Sequence, residues 1–544
     1  MGRNLKYNLF FNTFNMKIDT TKSKAYLVGG GIASLASAAY LIRDTNFPGE
    51  NIYIFDSSKT LGGSLDAQNL STSEGYIMRG IRMFEEKAFA CTFDLMAFIP
   101  SLIDPKKTIR DRFVDFNNDN KTHSKSRLLK NGKAIDSRPL GLNFKDRFNL
   151  FRLLARRENS FGAERVEDFF TPSFFKSNFW FEFCTAFSFQ PWHSLVEFRR
   201  YFIRFIQDFP VMDTLETIEV TPYNQYESMV LPIVDYLTKQ GVNFVTNTSV
   251  TNLDFRTIDN LKKVSRIYYK QNGEQKETLV NENDYVFVTL GSITANSSIG
   301  SMIEAPCSTC EQKSPAWHLW ENIAKDQPDF GKPAVFNSDI DKSKWTSFSV
   351  TLRDPRFFKL MEKFIDKKTN DFGGVNITDS NWLISLVLSY KPYFIDQPDG
   401  INFCWGYGLY PDKVGNFVNK KMSECNGREI LTELCHHLGF EDEIDLILET
   451  STCIPCLMPY ITSQFLPREK GNRPLVIPKN SKNLAFIGQY CEIPDDVVFT
   501  VEYSVRSAQI AVYSLLGLNK KASPLYNGTH HMKVLYSAIK TLFR

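Results

Sequence analysis

The chain lacks the features that would tie it to a membrane span, a nucleic acid or the cell exterior. Nowhere does it run for about eighteen uncharged apolar residues, so it offers no candidate for a spanning helix. Residues Met1 to Lys24 hold no sustained apolar stretch and no small-residue cleavage pattern, which argues against a secretory signal. After Met1-Gly2, Lys6 stands where a myristoylation signal wants Ser or Thr. Surplus charge is lacking too: 64 Lys and Arg face 61 Asp and Glu, a net charge of +3. A balance of that kind builds no basic face, so no nucleic-acid partner is expected. Cysteine is sparse, ten in 544 residues and scattered, which reads as reduced thiols of a cytoplasmic protein. Two pairs have C-x-x-C spacing, Cys307/Cys310 and Cys453/Cys456, but neither lies in a compact ribbon with His ligands. Free thiols are the better reading, and no metal is expected. Internal repeats and low-complexity tracts are missing as well.

What is present in excess is phenylalanine, 46 against 7 Trp and 22 Tyr. Such a payload suits thick cores or long apolar cavities, although a biased genome gives the same excess. A composition 43% hydrophobic and 23% charged is ordinary for a folded protein. At about 150 residues per domain, the length suggests roughly three or four units.

The sharpest local pattern begins at Lys24. Ala25-Tyr26-Leu27-Val28 is a short apolar strand, Gly29-Gly30-Gly31 a glycine turn, and Ala33 to Ile42 an Ala-rich helix; Ile52 to Phe55 is a second strand ending in Asp56. This is a βαβ unit. In Gly29-x-Gly31-x-x-Ser34 the first glycine permits a tight turn, and the second lets a pyrophosphate approach the backbone at a helix N-terminus. Ser34 replaces the third glycine but is still small enough for close helix–strand packing. Asp56 is placed to accept hydrogen bonds from a ribose hydroxyl. FAD is preferred to NAD because Lys59-Thr60-Leu61-Gly62-Gly63 is similar to the turn of flavoproteins with a glutathione-reductase-like fold. Phe486-Ile487-Gly488, with a helix soon after, resembles the C-terminal motif that meets the flavin in those proteins.

The expected fold is therefore α/β: a discontinuous FAD-binding, Rossmann-like domain with inserted substrate domains and a short C-terminal helical segment. A flexible leader is expected over 1–21. The FAD-binding domain is expected over 22–100, 225–300 and 483–518, a helical and aromatic substrate domain over 101–224, and a second substrate domain over 301–482. Residues 519–544 form the C-terminal segment. There Met532, Leu535, Tyr536, Ile539, Leu542 and Phe543 share one helical face, which suits docking on the protein body, with peripheral membrane contact as the second reading. Gln271-Asn272-Gly273 marks a hairpin turn.

Longer runs then become recognisable together. They include Gly62-Gly63-Ser64-Leu65-Asp66, Arg79-Gly80-Ile81-Arg82, Pro191-Trp192-His193-Ser194, Arg199-Arg200-Tyr201-Phe202, Tyr223-Asn224-Gln225-Tyr226, Met458-Pro459-Tyr460-Ile461-Thr462-Ser463 and Thr500-Val501-Glu502-Tyr503. From about residue 22 to 540 the sequence resembles the oleate hydratase family of fatty-acid double-bond hydratases, also called myosin-cross-reactive antigens. The resemblance implies FAD-dependent addition of water to the cis-9 double bond of a free unsaturated fatty acid, with no net redox change, in a homodimer. It carries the family's proton donor to Tyr201, with Arg200 and Arg204 as candidates to polarise the phenol. The family's water-activating Glu falls on Met83, and a thioether cannot take a proton from water at neutral pH. Glu85 and Glu86 are the nearest carboxylates, more simply read as solvated helix charges. The implied cofactor set is Gly29, Gly31, Ala33, Ser34, Asp56, Gly63, Ser64, Arg82, Val250, Ser292, Gly488 and Thr500; the implied substrate set is Asn224, Gln225, Thr462 and Ser463. Leu290 stands where the family commonly has Asn. The alternatives are a non-catalytic flavin- and fatty-acid-binding homologue, or a flavin oxidoreductase or double-bond isomerase acting on lipids.

Overall fold

The computed structural model describes residues 20–71, 74–122, 127–307, 314–364 and 373–543. The elements that position the site are, in chain order, β1 (Ala25–Val28), α1 (Ile32–Thr45), β2 (Ile52–Phe55), β3 (Gly75–Met78), α2 (Asn178–Phe187), α3 (Leu195–Arg204), β4 (Asn243–Val245), β5 (Tyr285–Thr289), β6 (Trp345–Leu352), β7 (Ile384–Leu388), β8 (Asn402–Gly408), β9 (Ser451–Met458), β10 (Leu484–Ile487), α4 (Val501–Leu515) and α5 (Met532–Leu542).

Apolar runs such as Ala25-Tyr26-Leu27-Val28 and Leu484-Ala485-Phe486-Ile487 are buried at every position, as strands covered on both faces must be. They form a five-stranded parallel sheet in the order β10–β5–β1–β2–β4. Strand β1 is the switch point. Its neighbours are reached in opposite directions, so the connections leaving the carboxyl ends of β1 and β5 run apart and open a crevice. Helix α1 begins at Gly31 and ends at Asn46, whose φ of +53° turns the chain into the left-handed region. It packs against α4, joining the first and last parts of the chain on one side of the sheet. Asn272 (φ +51°) and Gly273 (φ +90°) make the expected tight hairpin turn.

A second, eight-stranded sheet contains β6, β7, β8 and β9 at its centre. Side chains alternate across it and divide two cores. Trp345, Val387, Trp405, Tyr407, Cys456 and Met458 join the core shared with the first sheet. Phe348, Val350, Leu386, Cys404 and Cys453 join a second core behind it. Cys453 and Cys456 thus point to opposite faces of one strand and cannot share a metal; both are free thiols. Cys310 lies outside the described residues. Within the 101–224 stretch, expected to be helical and aromatic, Leu128–Lys130 extends this sheet by pairing with Gly373–Ile377, and Lys133–Ala134 pairs in turn with Leu128–Lys130. Strand β3 is pinned to β6 by side chains: Thr351 Oγ1 and Ser349 Oγ accept from the Tyr76 and Met78 N–H groups, each at 2.9 Å.

The aromatic stretch folds into α2 and α3 under this sheet, where the rings of Phe179, Phe183, Phe198 and Phe202 pack together. In α5, Ala538 and Leu542 are buried against Ile206–Val211, whereas Met532, Tyr536 and Phe543 are exposed. The expected apolar face is therefore only partly spent on docking. No helix among the described residues is long and apolar enough to cross a membrane.

Candidate functional site

A cleft of about 400 Å³ opens at the carboxyl ends of β1, β2 and β5. Its floor is the glycine turn, and each glycine there answers a different requirement. Gly29 has φ +94°, and a β-carbon on it would sit 3.1 Å from Thr289 Cβ. One on Gly30 would collide with Leu61 and Asp56 at 2.5 and 2.9 Å. These two glycines serve the fold. Gly31 does not: its backbone is extended, with φ −78° and ψ 176°, and an added β-carbon would meet only Gly63 Cα, at 4.0 Å. The space above Gly31 is left for something that is not protein. Directly beside it, α1 starts with no side-chain cap and no acid in its first turn, so the first N–H groups of the helix face the cleft with the positive end of its dipole. This cradle fits the pyrophosphate of a dinucleotide.

Asp56 ends β2 in the cleft wall. Its Oδ2 accepts from Gly30 N–H at 2.5 Å and its Oδ1 from Ser58 N–H at 2.6 Å. Burial raises its pKa, partly opposed by those two hydrogen bonds. Each oxygen retains a second lone pair for a ribose hydroxyl. At the far end Gly488 (φ +89°) closes β10, and a β-carbon there would meet Thr289 Cγ2 at 3.1 Å. Gly29, Gly31, Ala33, Asp56, Gly63, Ser64, Val250, Ser292 and Gly488 of the expected cofactor set all line the cleft. Ser34, Arg82 and Thr500 do not. Ser34 is fully buried behind the turn, 3.4 Å from Thr289 Oγ1. Thr500 caps α4, accepting from Tyr503 N–H and donating to the Val497 carbonyl. Arg82 lies deeper, its Nη2 donating to the Ser64 carbonyl at 3.3 Å.

The sequence reading passed over several lining residues. Arg79 and Asp66 pair across the cleft edge at 2.6 Å, and Arg79 also donates to the Gly63 carbonyl. Thr289, Gln489, Tyr490 and Ser504 complete the wall near β5 and β10. For Thr289, Gln489, Tyr490 and Ser504 the available signal was position: each lies at or after the carboxyl end of a parallel strand or in the first turn of the helix that follows. Leu290 is buried in the wall and brings no hydrogen-bonding group.

Tyr201, on α3, is 2% exposed. Rings of Phe187, Phe189, Phe205 and Phe465 surround it at centroid distances of 5.0–5.6 Å. Its hydroxyl donates to the Val498 carbonyl at 2.5 Å. Burial above all, and then the charges of Glu197 and Asp496, hold the phenol well above its ordinary pKa; Arg204 and Arg82 oppose the rise. Neither expected polarising arginine touches the phenol. Arg200 is clamped by Glu158 and Glu492, both at 2.7 Å, and Arg204 by Asp496 at 2.8 Å. Asp496 is held by Arg506 as well, at 3.1 Å, and Glu197 is paired with Arg468 and Arg473 at 2.8 and 2.9 Å. Arg82 is different. It has no carboxylate partner among the described residues, lies over the Phe499 ring at 5.7 Å, and is pushed down to about pKa 10 by burial, so it remains a cation at neutral pH.

Met83 is partly buried against the core next to Arg82. Glu86 is exposed and ion-paired with Arg110. Glu85 is not the solvated helix charge expected. Burial and the neighbouring Asp208 raise it to about 8, while Gln207 donates to it at 2.9 Å. Of the expected substrate residues, Asn224 is consumed by the fold, bridging Glu227 and the Tyr393 carbonyl. Thr462 donates to the Ser343 carbonyl at 3.0 Å. Ser463 meets the Tyr490 hydroxyl at 2.5 Å and so backs the cleft wall. Gln225 is buried against the chamber of Arg82: its amide accepts from the Tyr393 hydroxyl (3.2 Å) and Arg82 N–H (3.1 Å) and donates to the Gly80 carbonyl (3.2 Å). His193 is fully buried, accepts from Gln190 N–H, and is driven by burial to about pKa 3, a neutral packing residue.

Comparison with known proteins adds two kinds of likeness. The sequence model of the MCRA family matches residues 22–513. An oleate hydratase of Streptococcus pyogenes serotype M49 is 38% identical over 530 residues, covering 95% of this chain and 89% of that one. A linoleate hydratase of Lactiplantibacillus plantarum is 31% identical, covering 96% and 99%. Among solved structures, a putative protoporphyrinogen oxidase from Exiguobacterium sp. 255-15 superposes with a TM-score of 0.52 at 12% identity, covering 91% of this chain and 99% of that one. An oxidoreductase from Methanosarcina mazei gives 0.50 at 13%, covering 91% and 100%. At that identity these two speak for the fold alone.

Proposed function

The chain belongs to the MCRA family, and on that footing we propose that it hydrates the cis-9 double bond of a free unsaturated fatty acid, of the oleate to 10-hydroxystearate type. Oleate and linoleate hydratases align with almost its whole length, which supports a fatty-acid substrate. The observation that carries the chemistry is Tyr201: a phenol sealed among aromatic rings, its hydroxyl resting on a carbonyl two residues before the cap of α4.

FAD is the cofactor proposed. Gly31 and the start of α1 would hold its pyrophosphate, Asp56 its ribose, and Gly488, Gln489 and Ser504 would face its ring system. When bound, a flavin supplies an electron-rich, polarisable surface beside the reaction site without being consumed.

The rest is chemistry of this chain's own side chains. Tyr201 gives its hydroxyl proton to one alkene carbon, and water adds its oxygen to the other. The proton released by that water returns to the Tyr201 oxygen, which closes the balance. A phenol this buried is a feeble acid, so the step depends on stabilising the ion that proton loss creates. Arg82 and Arg204 are the cations that favour it. The carboxylates that bear on Tyr201 are engaged: Glu197 and Asp496 are each gripped by two arginines, and Glu85, beside Met83 in the chain, is spent on Gln207 and Asp208. With Met83 in place of a base, water is held by hydrogen bonds only, and turnover is correspondingly low.

The test is incubation with oleate, FAD and a reductant, followed by mass spectrometry. A product heavier by one water, with the flavin spectrum unchanged over many turnovers, is expected. Tight binding with no product would favour a non-catalytic fatty-acid-binding homologue. A product of unchanged mass would favour an isomerase, and sustained flavin reoxidation coupled to substrate an oxidoreductase.

A further inference from the structure

Phe499 has a backbone φ of +71°. In this left-handed region a β-carbon crowds the following carbonyl, and a bulky side chain persists there only where its surroundings enforce it. Leu215 and Leu383 share the anomaly, but they do not touch the site. Phe499 adjoins the cleft wall at Gln489. Its N–H donates to Gln489 Oε1, while Gln489 Nε2 donates to the Thr500 carbonyl at 2.9 Å and to Ser504 Oγ at 2.8 Å. Gln489 is partly accessible and lines the dinucleotide cleft. At the other pole of the same peptide unit, the Val498 carbonyl accepts the hydrogen bond of the Tyr201 hydroxyl. The Phe499 ring meanwhile reaches Arg82 at 5.7 Å and Phe465 at 5.5 Å.

We propose that Gln489, Phe499 and Val498 form the link through which the occupant of the dinucleotide cleft sets the hydrogen bond of Tyr201. Gln489 and Phe499 are positioning residues in this scheme, which rests on the reading of Tyr201 as the acid and of the cleft as a flavin site. The polar edge of a ring laid against the cleft wall competes for the Gln489 amide. Once that amide turns, the Phe499 N–H loses its acceptor, the strained Val498–Phe499 peptide relaxes, and the carbonyl that detains the phenol proton swings away. Without the occupant, the Tyr201 hydroxyl stays hydrogen-bonded to the Val498 carbonyl. A reaction with no net redox change thereby acquires a dependence on its flavin.

The experiment places 3-fluorotyrosine at position 201 and follows its ¹⁹F resonance, together with amide exchange of the peptide containing Phe499, in apo and FAD-loaded protein. In the unsubstituted background, FAD shifts the resonance and speeds Phe499 exchange by about tenfold or more. In Gln489→Ala, the apo resonance already lies at the loaded position, and FAD moves it no further. Gln489→Glu, which keeps the accepting oxygen, restores the apo position. An apo resonance unchanged in Gln489→Ala, with a full-sized response to FAD, overturns the proposal. If Gln489→Ala does not fold or load, Phe499→Gly decides: it keeps the N–H but removes the left-handed strain, so the apo resonance moves towards the loaded position and the response to FAD shrinks. An unmoved apo resonance with a full-sized response to FAD would also overturn the proposal. Protein that shows the link yet makes no hydroxy acid refutes the hydratase reading and leaves the link standing.

Discussion

At the residue scale, the proposed reaction rests on one group that is present and one that is missing. Tyr201, kept neutral by burial, is the proposed acid, and Met83 is proposed to stand where a base would orient water. Supplying that base has a predictable effect: Met83→Glu raises kcat by on the order of a hundredfold, with KM for oleate little changed. The check is steady-state kinetics on flavin-loaded protein, and equal or lower turnover would remove Met83 from the reaction site. Both positions are proposed from motif resemblance in the sequence, Tyr201 from Arg199-Arg200-Tyr201-Phe202 and Met83 from the run that follows Arg79-Gly80-Ile81-Arg82. The surroundings of neither were legible. Arg200 and Arg204 sit beside Tyr201 in the chain, yet their partners Glu158, Glu492 and Asp496 come from segments up to nearly three hundred residues away. Glu85 looked like a surface acid because its neighbour Asp208 arrives from another element.

Elements explain why the glycine turn is the most informative motif in the chain. Strand β1, its turn and α1 are local, so hydrophobic period and glycine spacing specified them with bounds close to those found. The sequence could not separate glycines needed by the fold from the one left for a ligand, because that distinction lies in what an added β-carbon would touch. Thr289, from a strand far along the chain, decides it for Gly29; for Gly31 nothing does. Gly31→Val should therefore change unfolding stability by no more than about 1 kcal/mol while weakening FAD affinity at least about tenfold. Chemical denaturation and flavin titration measure the two separately. Equal damage to both would mean that Gly31 serves the fold. The strand pair at 128–134 was missed for a related reason: its partner strand lies at 373–377, and pairing across such a distance leaves no local trace.

For the whole molecule, buried charge couples stability to pH. Glu85 rises from 4.5 to about 8 and Asp208 from 3.8 to about 6 on folding, burial being the main cause in each. The folded state therefore binds more protons than the unfolded chain between those values. Stability is fullest below the unfolded pKa values and is lost as pH climbs, first through about 6 and then through about 8. Tm of the parent protein should fall between pH 6 and pH 8, and Glu85→Gln should flatten that fall; an unaltered slope would place the titrating group elsewhere. The arginine–carboxylate network around α3 acts in the opposite sense, since removing Glu197 leaves Arg468 and Arg473 facing an unpaired interior. Glu197→Ala is expected to cost about 3–5 kcal/mol in denaturant unfolding.

The account turns on a buried phenol delivering a proton to an olefin. The most direct measurement is oleate conversion in D₂O by the parent protein and by Tyr201→Phe, both shown to carry flavin. The parent should yield a hydroxy acid with one non-exchangeable deuterium on the carbon next to the carbinol. The variant, which loses only the hydroxyl, should fall in rate by roughly 10²–10⁴. A variant that makes the same deuterated product at the parent's rate would contradict the account.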